Sequence, residues 1–506
     1  MVAFLPTCKA TARVVIFVDI ICQSLVSQES FTRCAVFQIE AVRTSGLRGL
    51  QKNVDMVEDA QPCNLYREVL ILQHHTDIVR ALVKVDDHRC ISAGDDCTAA
   101  LWDIEDGRKL NVFSGHKLPI NCILLLKPEP GSYDDILLIT GASDKHIKVW
   151  NIETGQCLED ITEHNSSVKC LASLPAFDIF ISGGEKLCAW SRKGKQLHQV
   201  ENPGKADIQF LLPIKENRFV AACEESLYVY TVEYCGDSCE IKFFKHLFRQ
   251  HREAIGSLIN VPDGSFASGS LDGLIVLWSS HTLSAIRQFN QIKEEKEFRG
   301  IDNHYPFSIQ HMISPEKGCI FAAVGNSIYV FDITKDQGRI IAKKQDAHMS
   351  KIKHMDFLYH GLYLATCSED GAIKLWGRAP AEKNDKDYFM NPLETFTGLS
   401  SDKIRKLKKS ETVEPCLLGE CLGHSGAVQL FVDFGEEGFV SCGGDGLLIL
   451  WKDGVLQNLK RSQFIGEMTG ATQSSYTCST LTGLSRPIFT GDDDQATLRT
   501  EESPSD

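Results

Sequence analysis

One local pattern of apolar and polar positions recurs along the chain. It consists of a short apolar run, a tight turn built on Asp-Gly or Asp-Lys, and a second run that alternates in polarity up to an aromatic residue. The pattern is clearest in residues 138–150 (LITGASDKHIKVW), 265–278 (SFASGSLDGLIVLW) and 364–376 (LATCSEDGAIKLW). Alternation with a period of two on both sides of such a turn predicts a β-hairpin. A histidine and a further β-branched run precede most of these blocks, which predicts a third strand.

The spacing of the aromatic residues that close these blocks predicts the number of units. The spacings between successive tryptophans are 48, 40, 88, 98 and 75 residues. One unit of a β-propeller takes about 40–45 residues, so the two largest spacings each contain two units. Blocks without tryptophan, at residues 218–230 and 319–331, end in Tyr230 and Phe331. We therefore predict an all-β, eight-bladed propeller, in which a strand near Tyr66–Gln73 pairs with the last blade and closes the ring.

The spacing of 75 residues contains one unit and an insertion at residues 377–414, which is polar, charged and aperiodic. Loops longer than about 12–15 residues are usually functional or disordered, and a docking peptide and plain disorder fit this one equally well. Its apolar residues are expected to be exposed and to be the partner-binding candidates: Tyr388, Phe389, Met390 and Phe396.

The predicted propeller spans residues 64–454, and both ends of the chain differ from it in composition. We expect a disordered extension over residues 1–63. Residues 455–468 (VLQNLKRSQFIGEM) are expected to begin a short helix, and an acidic tail (GDDDQATLRTEESPSD) ends the chain. Such a tail, poor in apolar residues and rich in charge, is typical of flexible segments.

Composition indicates a soluble globular protein with protein partners. Hydrophobic residues make up 43% of the chain and charged residues 24%, both in the normal range. The net charge of −14 argues against nucleic-acid binding, which would require a basic surface. The 19 cysteines are scattered in apolar runs, as at Cys90, Cys188, Cys223 and Cys367. This distribution indicates reduced, buried thiols and not a disulfide scaffold.

The repeated blocks resemble the WD-repeat β-propeller family over residues 65–452. In that family the histidine, Ser or Thr, Asp and Trp of one repeat form a hydrogen-bonded tetrad. We interpret these residues as structural and not as catalytic triads, because repetition around a ring is typical of a scaffold. The resemblance implies five tetrads: His75, Ser92, Asp96 and Trp102; His116, Thr140, Asp144 and Trp150; His251, Ser268, Asp272 and Trp278; His348, Thr366, Asp370 and Trp376; His424, Ser441, Asp445 and Trp451. The block ending at Trp190 lacks the turn aspartate, so its tetrad is expected to be incomplete.

Several stretches are similar to one branch of that family. They are HTDIVRALVKVDDHR and SAGDD within residues 75–96, SSVKCL and SGGEKLCAW within 166–190, SLINV at 257–261, FAAVGNSIYV at 321–330 and GLLILWKDG at 446–454. The resemblance implies a non-enzymatic cytoplasmic scaffold, without cofactor or metal. Its chain ends and last blade join a heterodimer of two DENN-domain proteins, a GTPase-activating complex of autophagy and amino-acid sensing.

The same resemblance implies recruitment to the lysosomal membrane through a partner. That partner is a PQ-loop transporter of cationic amino acids, and membrane association occurs only through such partners. The loop between the last two strands of the seventh blade makes the contact. This position corresponds to the insertion that follows Trp376.

Other motifs favour weaker hypotheses. Cys235 and Cys239 (CGDSC) resemble half of a metal site, but no second pair with zinc spacing follows. Residues 298–300 (FRG) lack the second arginine of a phosphoinositide-binding motif, and the basic run at 403–409 (KIRKLKK) is expected to be a solvated loop. The alternative function is a substrate receptor of a cullin-type ubiquitin ligase or another generic WD-repeat platform for protein interactions. Such receptors often carry Trp-Asp-x-Arg, whereas Trp102-Asp103 is followed by Ile104-Glu105.

Overall fold

A computed structural model describes residues 66–128, 135–289 and 307–454, with gaps at 205, 216, 236–237, 249, 335–337, 360, 378–390 and 408–410. The chain divides into two compact units, Met1–Gln61 and Pro62–Asp506, and every described residue belongs to the second. The sequence predictions for residues 1–63, 298–300 and 455–506 lie outside the described residues.

The described residues form eight four-stranded antiparallel sheets, here called blades 1 to 8. Blade 1 contains β2 (Val79–Lys84), β3 (Arg89–Gly94), β4 (Thr98–Asp103) and β5 (Lys109–Ser114). Blade 2 contains β6 (Ile120–Leu126), β7 (Leu137–Ala142), β8 (Ile147–Asn151) and β9 (Cys157–Ile161). Blade 3 contains β10 (Cys170–Leu174), β11 (Ile179–Gly183), β12 (Lys186–Ser191) and β13 (Gln196–Glu201). Blade 4 contains β14 (Phe210–Ile214), β15 (Arg218–Cys223), β16 (Ser226–Cys235) and β17 (Ser238–Leu247).

The second half of the ring repeats this order. Blade 5 contains β18 (Ile255–Asn260), β19 (Ser265–Ser270), β20 (Ile275–Ser279) and β21 (Ala285–Phe289). Blade 6 contains β22 (Ile309–Ile313), β23 (Cys319–Val324), β24 (Ser327–Asp332) and β25 (Arg339–Lys344). Blade 7 contains β26 (Ile352–Leu358), β27 (Tyr363–Ser368), β28 (Ala372–Gly377) and β29 (Cys416–Leu422). Blade 8 contains β30 (Val428–Asp433), β31 (Phe439–Gly443), β32 (Leu447–Asp453) and β1 (Tyr66–Gln73).

The N-terminal strand β1 closes the ring, which confirms the predicted eight-bladed propeller. It pairs antiparallel with β32 at seven positions, from Tyr66 opposite Asp453 to Gln73 opposite Leu447. Tyr66 is buried between blades 7 and 8, and Leu72 is buried between blades 8 and 1. Strand β32 is the third strand of its blade, and β1 is the fourth.

Aspartate shapes the hairpin turns of the five blades that resemble the family best. In each turn the carboxylate accepts the backbone N–H two residues later, as Asp272 does from Leu274 and Asp445 from Leu447. The residue between them has a left-handed backbone, with φ of +81° at Gly273. Glycine adopts that conformation without steric cost, which explains the recurring Asp-Gly pair.

Buried apolar clusters join neighbouring blades, one at each of the eight interfaces between described blades. The aromatic residue that closes each repeat packs against the preceding blade. Trp278 of blade 5, for example, packs with Val220 and Val229 of blade 4. Tyr230 and Phe331 take the same place in blades 4 and 6, which confirms the two repeats predicted without tryptophan. Removal of these surfaces from water stabilises the ring.

Helices are few and short in the described part of the chain. Two α-helices lie in the insertion, α1 (Pro392–Thr397) and α2 (Ser401–Lys406), and 3-10 turns occur at Pro175–Phe177 and Gly435–Glu437. No helix among these residues is long and apolar enough to cross a membrane.

Candidate functional site

Four of the five histidine-containing sets form complete hydrogen-bonded chains. In blade 1 the indole Nε1 of Trp102 donates to Ser92 Oγ at 2.9 Å, and His75 Nε2 lies 2.8 Å from the same hydroxyl. His75 Nδ1 lies 2.8 Å from Asp96 Oδ2. The arrangement is consistent with a relay in which Trp donates to Ser, Ser to His, and His to Asp. The sets ending at Trp150, Trp376 and Trp451 repeat it, with distances of 2.7–3.1 Å along each chain.

Burial controls the protonation state of the histidines in these hydrogen-bonded sets. It lowers the pKa of His75, His116 and His424, so these rings are neutral near pH 7. Burial acts in the opposite direction on Asp96 and would raise its pKa. The nearby His75 and the N–H and hydroxyl of Thr98 outweigh that effect, and the pKa of Asp96 falls below its usual value. In the sets of His75, His116 and His424, a neutral imidazole is thus hydrogen-bonded to a carboxylate.

The set in blade 5 is incomplete at its aspartate. Trp278 Nε1 and His251 Nε2 both bond Ser268 Oγ, at 2.8 and 2.7 Å. His251 Nδ1, however, is buried without a hydrogen-bond partner. Asp272 keeps the two backbone contacts that the other turn aspartates also make, with the N–H groups of Arg252 and Leu274, both at 2.8 Å, so only its bond to the imidazole is missing. Burial lowers the pKa of His251 to about 4.

The set in blade 3 lacks a turn aspartate and has a different pattern. Trp190 Nε1 donates to Ser182 Oγ at 2.8 Å. His164 Nδ1 donates to the carbonyl oxygen of Ser166 at 2.8 Å, so its hydrogen-bond acceptor lies only two residues away in the chain. His164 Nε2 has no partner among the described groups.

The hydroxyl groups of these sets are placed for structure and not for nucleophilic attack. Ser92, Thr140, Ser268, Thr366 and Ser441 have no exposed surface. Each oxygen already accepts the indole N–H of its own repeat, and no substrate can approach it. A catalytic serine needs an accessible Oγ beside an oxyanion-binding site. The sets therefore join the turn, the strands and the tryptophan of one blade.

Replacing Ser92 by alanine is expected to lower the free energy of unfolding by about 1–3 kcal/mol. The change leaves Nε1 of Trp102 and Nε2 of His75 buried without partners, and an unsatisfied buried polar group carries a cost of that order. Ser182→Ala is the matched control, because Ser182 accepts the indole N–H of Trp190, whereas His164 bonds the carbonyl oxygen of Ser166 and not Ser182. Urea unfolding should show the larger decrease for Ser92→Ala. Equal decreases would contradict a relay through the hydroxyl.

The insertion lies between the third and fourth strands of blade 7, as the resemblance implies. Strand β28 ends at Gly377, and the returning strand β29 begins at Cys416, which pairs with Gly377. Tyr388, Phe389 and Met390 lie outside the described residues, so their role stays a prediction. Residues 391–407 and 411–414 are described, and we call them the clip.

The expectation that Phe396 is exposed is wrong. Its side chain has no exposed surface and contacts Phe321 of blade 6 edge to face, with 5.4 Å between ring centroids. Phe396 and Ile404 join the apolar cluster between blades 6 and 7, which includes Trp376. The physical reason is local helix formation: Asn391 caps α1 by accepting the N–H of Glu394, and the helix turns Phe396 toward the blades. The described part of the basic run also departs from a solvated loop, since it forms most of α2 and buries Ile404.

An exposed apolar edge lies where blades 7 and 8 meet, and the sequence interpretation did not single it out. Val69 and Ile71 of β1 have 47% and 44% of their surface exposed, and Leu422 at the end of β29 has 67%. Strands β1 and β29 contact each other. Apolar surface of this kind, when contiguous, often marks a site of protein contact.

The remaining candidates are the cysteines named in the sequence analysis, and they lie in strands of the blades. Cys235 lies opposite Ser238 at the tip of the β16–β17 hairpin, and Cys239 is a buried free thiol. Cys90, Cys188, Cys223 and Cys367 are also free and buried, and burial raises the pKa of Cys188 to about 12. No group of three or more His, Cys, Asp or Glu side chains within the described ranges is arranged to hold a metal ion.

Comparisons with known proteins agree with this geometry. The sequence model of the family described as WDR41, a β-propeller, matches residues 46–461. The chain is 33% identical over 429 residues to WD repeat-containing protein 41 of Homo sapiens, and the match covers 80% of this chain and 91% of the human protein. The Mus musculus protein of the same name is 33% identical over 426 residues, with the same coverage.

Among solved structures, the computationally designed Ika8 protein superposes with a TM-score of 0.55 at 21% identity. The match covers 76% of this chain and 99% of Ika8, and it concerns the fold alone. The family model covers more than half of the chain, and the two mammalian relatives are matched over nine-tenths of their length. The chain therefore belongs to the WDR41 family of WD-repeat β-propellers.

Proposed function

We propose that this protein is a non-catalytic scaffold that joins a DENN-domain heterodimer with GTPase-activating activity and tethers it to lysosomes. Membership of the WDR41 family is the observation that carries the proposal. The tetrads favour a scaffold as well, because their polar groups bond to one another within the ring. Autophagy and amino-acid sensing are the processes in which such a complex acts.

The proposed contact with the DENN proteins uses the apolar edge of blades 7 and 8. Val69 and Ile71 are exposed there on β1, the strand that closes the ring, and Leu422 is exposed on the neighbouring strand β29 of blade 7. Burial of such side chains in an interface contributes roughly 25 cal/mol per Å² of apolar surface before the cost of association is subtracted. Charged residues at these positions would have to be desolvated on binding.

The double variant Val69→Asp, Ile71→Asp is expected to lose co-purification with the DENN heterodimer while the propeller stays folded. Both side chains point outward, so the substitutions leave the seams between blades intact. The matched control is Leu158→Asp on β9 of blade 2, which has a comparable 51% exposure but lies in another blade. The proposal for this edge would be refuted if the double variant and Leu158→Asp bound the heterodimer equally well.

The proposed contact with the lysosome uses Tyr388, Phe389 and Met390 of the insertion, and the partner is a PQ-loop transporter of cationic amino acids. Two aromatic residues and a methionine within three positions offer a compact set of anchors, and a few such side chains supply most of the binding energy in many interfaces. Phe396 is removed from the set because it belongs to the core.

Replacing Tyr388, Phe389 and Met390 together by serine is expected to abolish recruitment to lysosomes on amino-acid starvation. Imaging of the tagged protein in starved cells measures this outcome. DENN-heterodimer binding, assayed by co-purification, should persist because the apolar edge is unchanged. Normal lysosomal localisation of the triple variant would exclude these residues as the tether, and loss of the DENN proteins would show that the two interfaces have been misplaced.

A further inference from the structure

The outer strand of every described blade contains a β-bulge at the same place. It lies opposite the step that ends at the closing aromatic residue, as between Val229 and Tyr230 in blade 4. The extra residue of the bulge belongs to the outer strand and is apolar in all eight blades. A bulge turns one side chain out of the regular alternation. Five of these residues are exposed at the rim of the ring, namely Val69, Leu110, Leu158, Phe244 and Ile286.

Blade 6 shows what can cover a bulge of this kind. A segment of the clip lies along the outer edge of β25, where Val413 forms a parallel bridge. The N–H of Lys343 donates to the carbonyl oxygen of Val413 at 3.0 Å, and the N–H of Val413 donates to that of Ile341 at 2.9 Å. The bulged Ile341 is buried, and Lys344 pairs with Glu414. The covering segment is thus extended, with an apolar residue followed by a carboxylate.

Blade 4 has the equivalent edge on β17, the outermost strand of its sheet. No other described segment forms a strand pair or a bridge along that edge. The register places Phe244 where blade 6 has its bulged isoleucine, and His246 where blade 6 has the donating lysine. Nearer the start of β17, the N–H of Ile241 already donates to Nδ1 of His198 in blade 3, at 3.2 Å. The carbonyl of Phe244 and the N–H of His246 are therefore the groups that an added strand would bond.

Three phenylalanine rings surround these two groups. Phe243, Phe244 and Phe248 have 48%, 52% and 67% of their surface exposed. Phe243 contacts Tyr228 directly, and Phe248 reaches it through a stacked imidazole of β17. The ring of Phe244 lies on the other face of the blade, with its centroid 4.6 Å from Cζ of Arg218. Side chains of an added strand point alternately to the two faces of a sheet, and aromatic rings stand on both faces here.

The charge of this edge favours one kind of occupant. Residues 241–248 (IKFFKHLF) contain two lysines and no carboxylate. Lys245 donates to the carbonyl oxygens of Thr282 and Leu283 in blade 5, and it has no carboxylate partner among the described residues. A second copy of this chain would place the same basic strand opposite itself, and like charges across an interface oppose binding. An acidic segment complements the edge.

We propose that the outer edge of blade 4 binds an extended, acidic segment of a partner protein by strand addition. The segment lies beside β17 as Val413 lies beside β25, with its backbone bonded to Phe244 and His246. Its apolar residue covers the ring of Phe244, and its carboxylate lies near Lys245. This edge belongs to a different blade from both contacts of the proposed function, so the inference is independent of that function.

The probe is a fluorescein-labelled peptide, ETVEVTE, which continues the sequence of residues 411–414 in an alternating pattern. Fluorescence polarisation should detect its binding to the full chain. Phe244→Ser and Phe248→Ser should each weaken the affinity about tenfold, as expected for aromatic anchors. Ile286→Ser is the matched control, because Ile286 is the bulged residue of blade 5 and is 51% exposed. It should leave the affinity unchanged, and all three variants should melt like the unmodified protein.

Two further peptides test how the segment binds. N-methylation of the first valine removes the N–H that would donate to Phe244, and it should abolish binding. The peptide KTVKVTK keeps the strand-forming residues but reverses the charge, and it should bind much more weakly than ETVEVTE. Hydrogen exchange of the His246 amide should slow when ETVEVTE is bound, because that N–H then donates to the peptide.

Several results would overturn the proposal. They are the absence of peptide binding to the folded protein, equal affinities of Phe244→Ser and Ile286→Ser, and undiminished binding of the N-methylated peptide. Equal binding of KTVKVTK and ETVEVTE would exclude an acidic segment as the occupant. A concentration-dependent dimer of the unmodified chain in sedimentation, lost in Phe244→Ser, would show that a second copy covers this edge and that the proposed occupant is wrong.

Discussion

Removal of residues 1–72 is expected to convert the protein into an aggregating species, whereas removal of residues 1–60 is expected to leave a soluble monomer. The longer truncation deletes six of the seven paired positions of β1 and the buried side chains of Tyr66 and Leu72. Strand β32 then presents an unpaired edge, and an unprotected sheet edge pairs readily with other chains. The shorter truncation stops before β1.

Size-exclusion chromatography and thermal melting of the two truncations measure the effect. Because deletion of a whole strand is a severe change, Leu72→Asp provides a second variant: it buries a charge between blades 8 and 1 and should lower the melting temperature strongly. Val69→Ala on the exposed face of β1 is the control and should melt like the unmodified protein. If the 1–72 truncation remained monomeric and melted normally, closure by β1 would be wrong.

Phe396→Ala is expected to lower the free energy of unfolding by about 3–5 kcal/mol. Substitutions of a fully buried phenylalanine cost about this much, because apolar contacts are lost and a cavity remains. Phe396 contacts Phe321 and lies in the cluster that joins blades 6 and 7. For a folded unit of this size the decrease corresponds to a fall of about 5 °C in the melting temperature, since the entropy of unfolding scales with chain length.

Lys403→Ala, on the exposed side of α2, is the matched control in the same insertion and should change the melting temperature little. The comparison decides whether the clip belongs to the core or to the partner-binding surface. Equal melting temperatures for the unmodified protein, Phe396→Ala and Lys403→Ala would show that the clip does not pack as described. Loss of lysosomal recruitment by Phe396→Ala alone would be explained by its effect on stability and would not make it a contact residue.

The blades could be predicted because the same block of two apolar strands, a tight turn and a closing aromatic residue recurs along the sequence. Tyr230 and Phe331 were found by spacing even without tryptophan. An aromatic ring at that position packs in the interface with the preceding blade, and every repeat requires a large apolar side chain there. The turn aspartates were predictable for a similar reason, since each accepts a backbone N–H at a fixed offset in its own turn.

Phe396 could not be placed in this way. The clip occurs once, and its two helices have six residues each, too few to show a helical period. Within a polar stretch, a lone phenylalanine has the same sequence signature whether it is exposed or buried. Its partner, Phe321, precedes it by 75 residues, and no local pattern links the two. Arg339 of blade 6, whose guanidinium donates to the carbonyl oxygens of Ile404 and Leu407 in the clip, has no sequence signal for the same reason, because its acceptors are backbone groups of a distant segment.

The missing contact of His251 also had no sequence signal. The residue types of its set match those of the complete sets, and Ser268 and Trp278 are bonded as expected. The difference lies in the position of the ring relative to Asp272, which still bonds two backbone N–H groups as the other turn aspartates do. Residue identity therefore predicts which groups can form a tetrad, and the backbone decides whether the last bond is made.

The pairing of β1 with β32 also orders events during synthesis. β1 leaves the ribosome before any other strand of the ring, but its partner follows about 380 residues later. At translation rates of about 5–20 residues per second, β32 is synthesised roughly 20–75 s after β1. During that time the apolar residues of β1 have no neighbouring blade to pack against. Blades 1 to 7 can form in order as the chain emerges, and blade 8 is completed last. Nascent chains of this protein should therefore stay bound to chaperones until blade 8 is complete. A chain whose synthesis stops before β32 should have seven folded blades and an open ring, and it should be degraded.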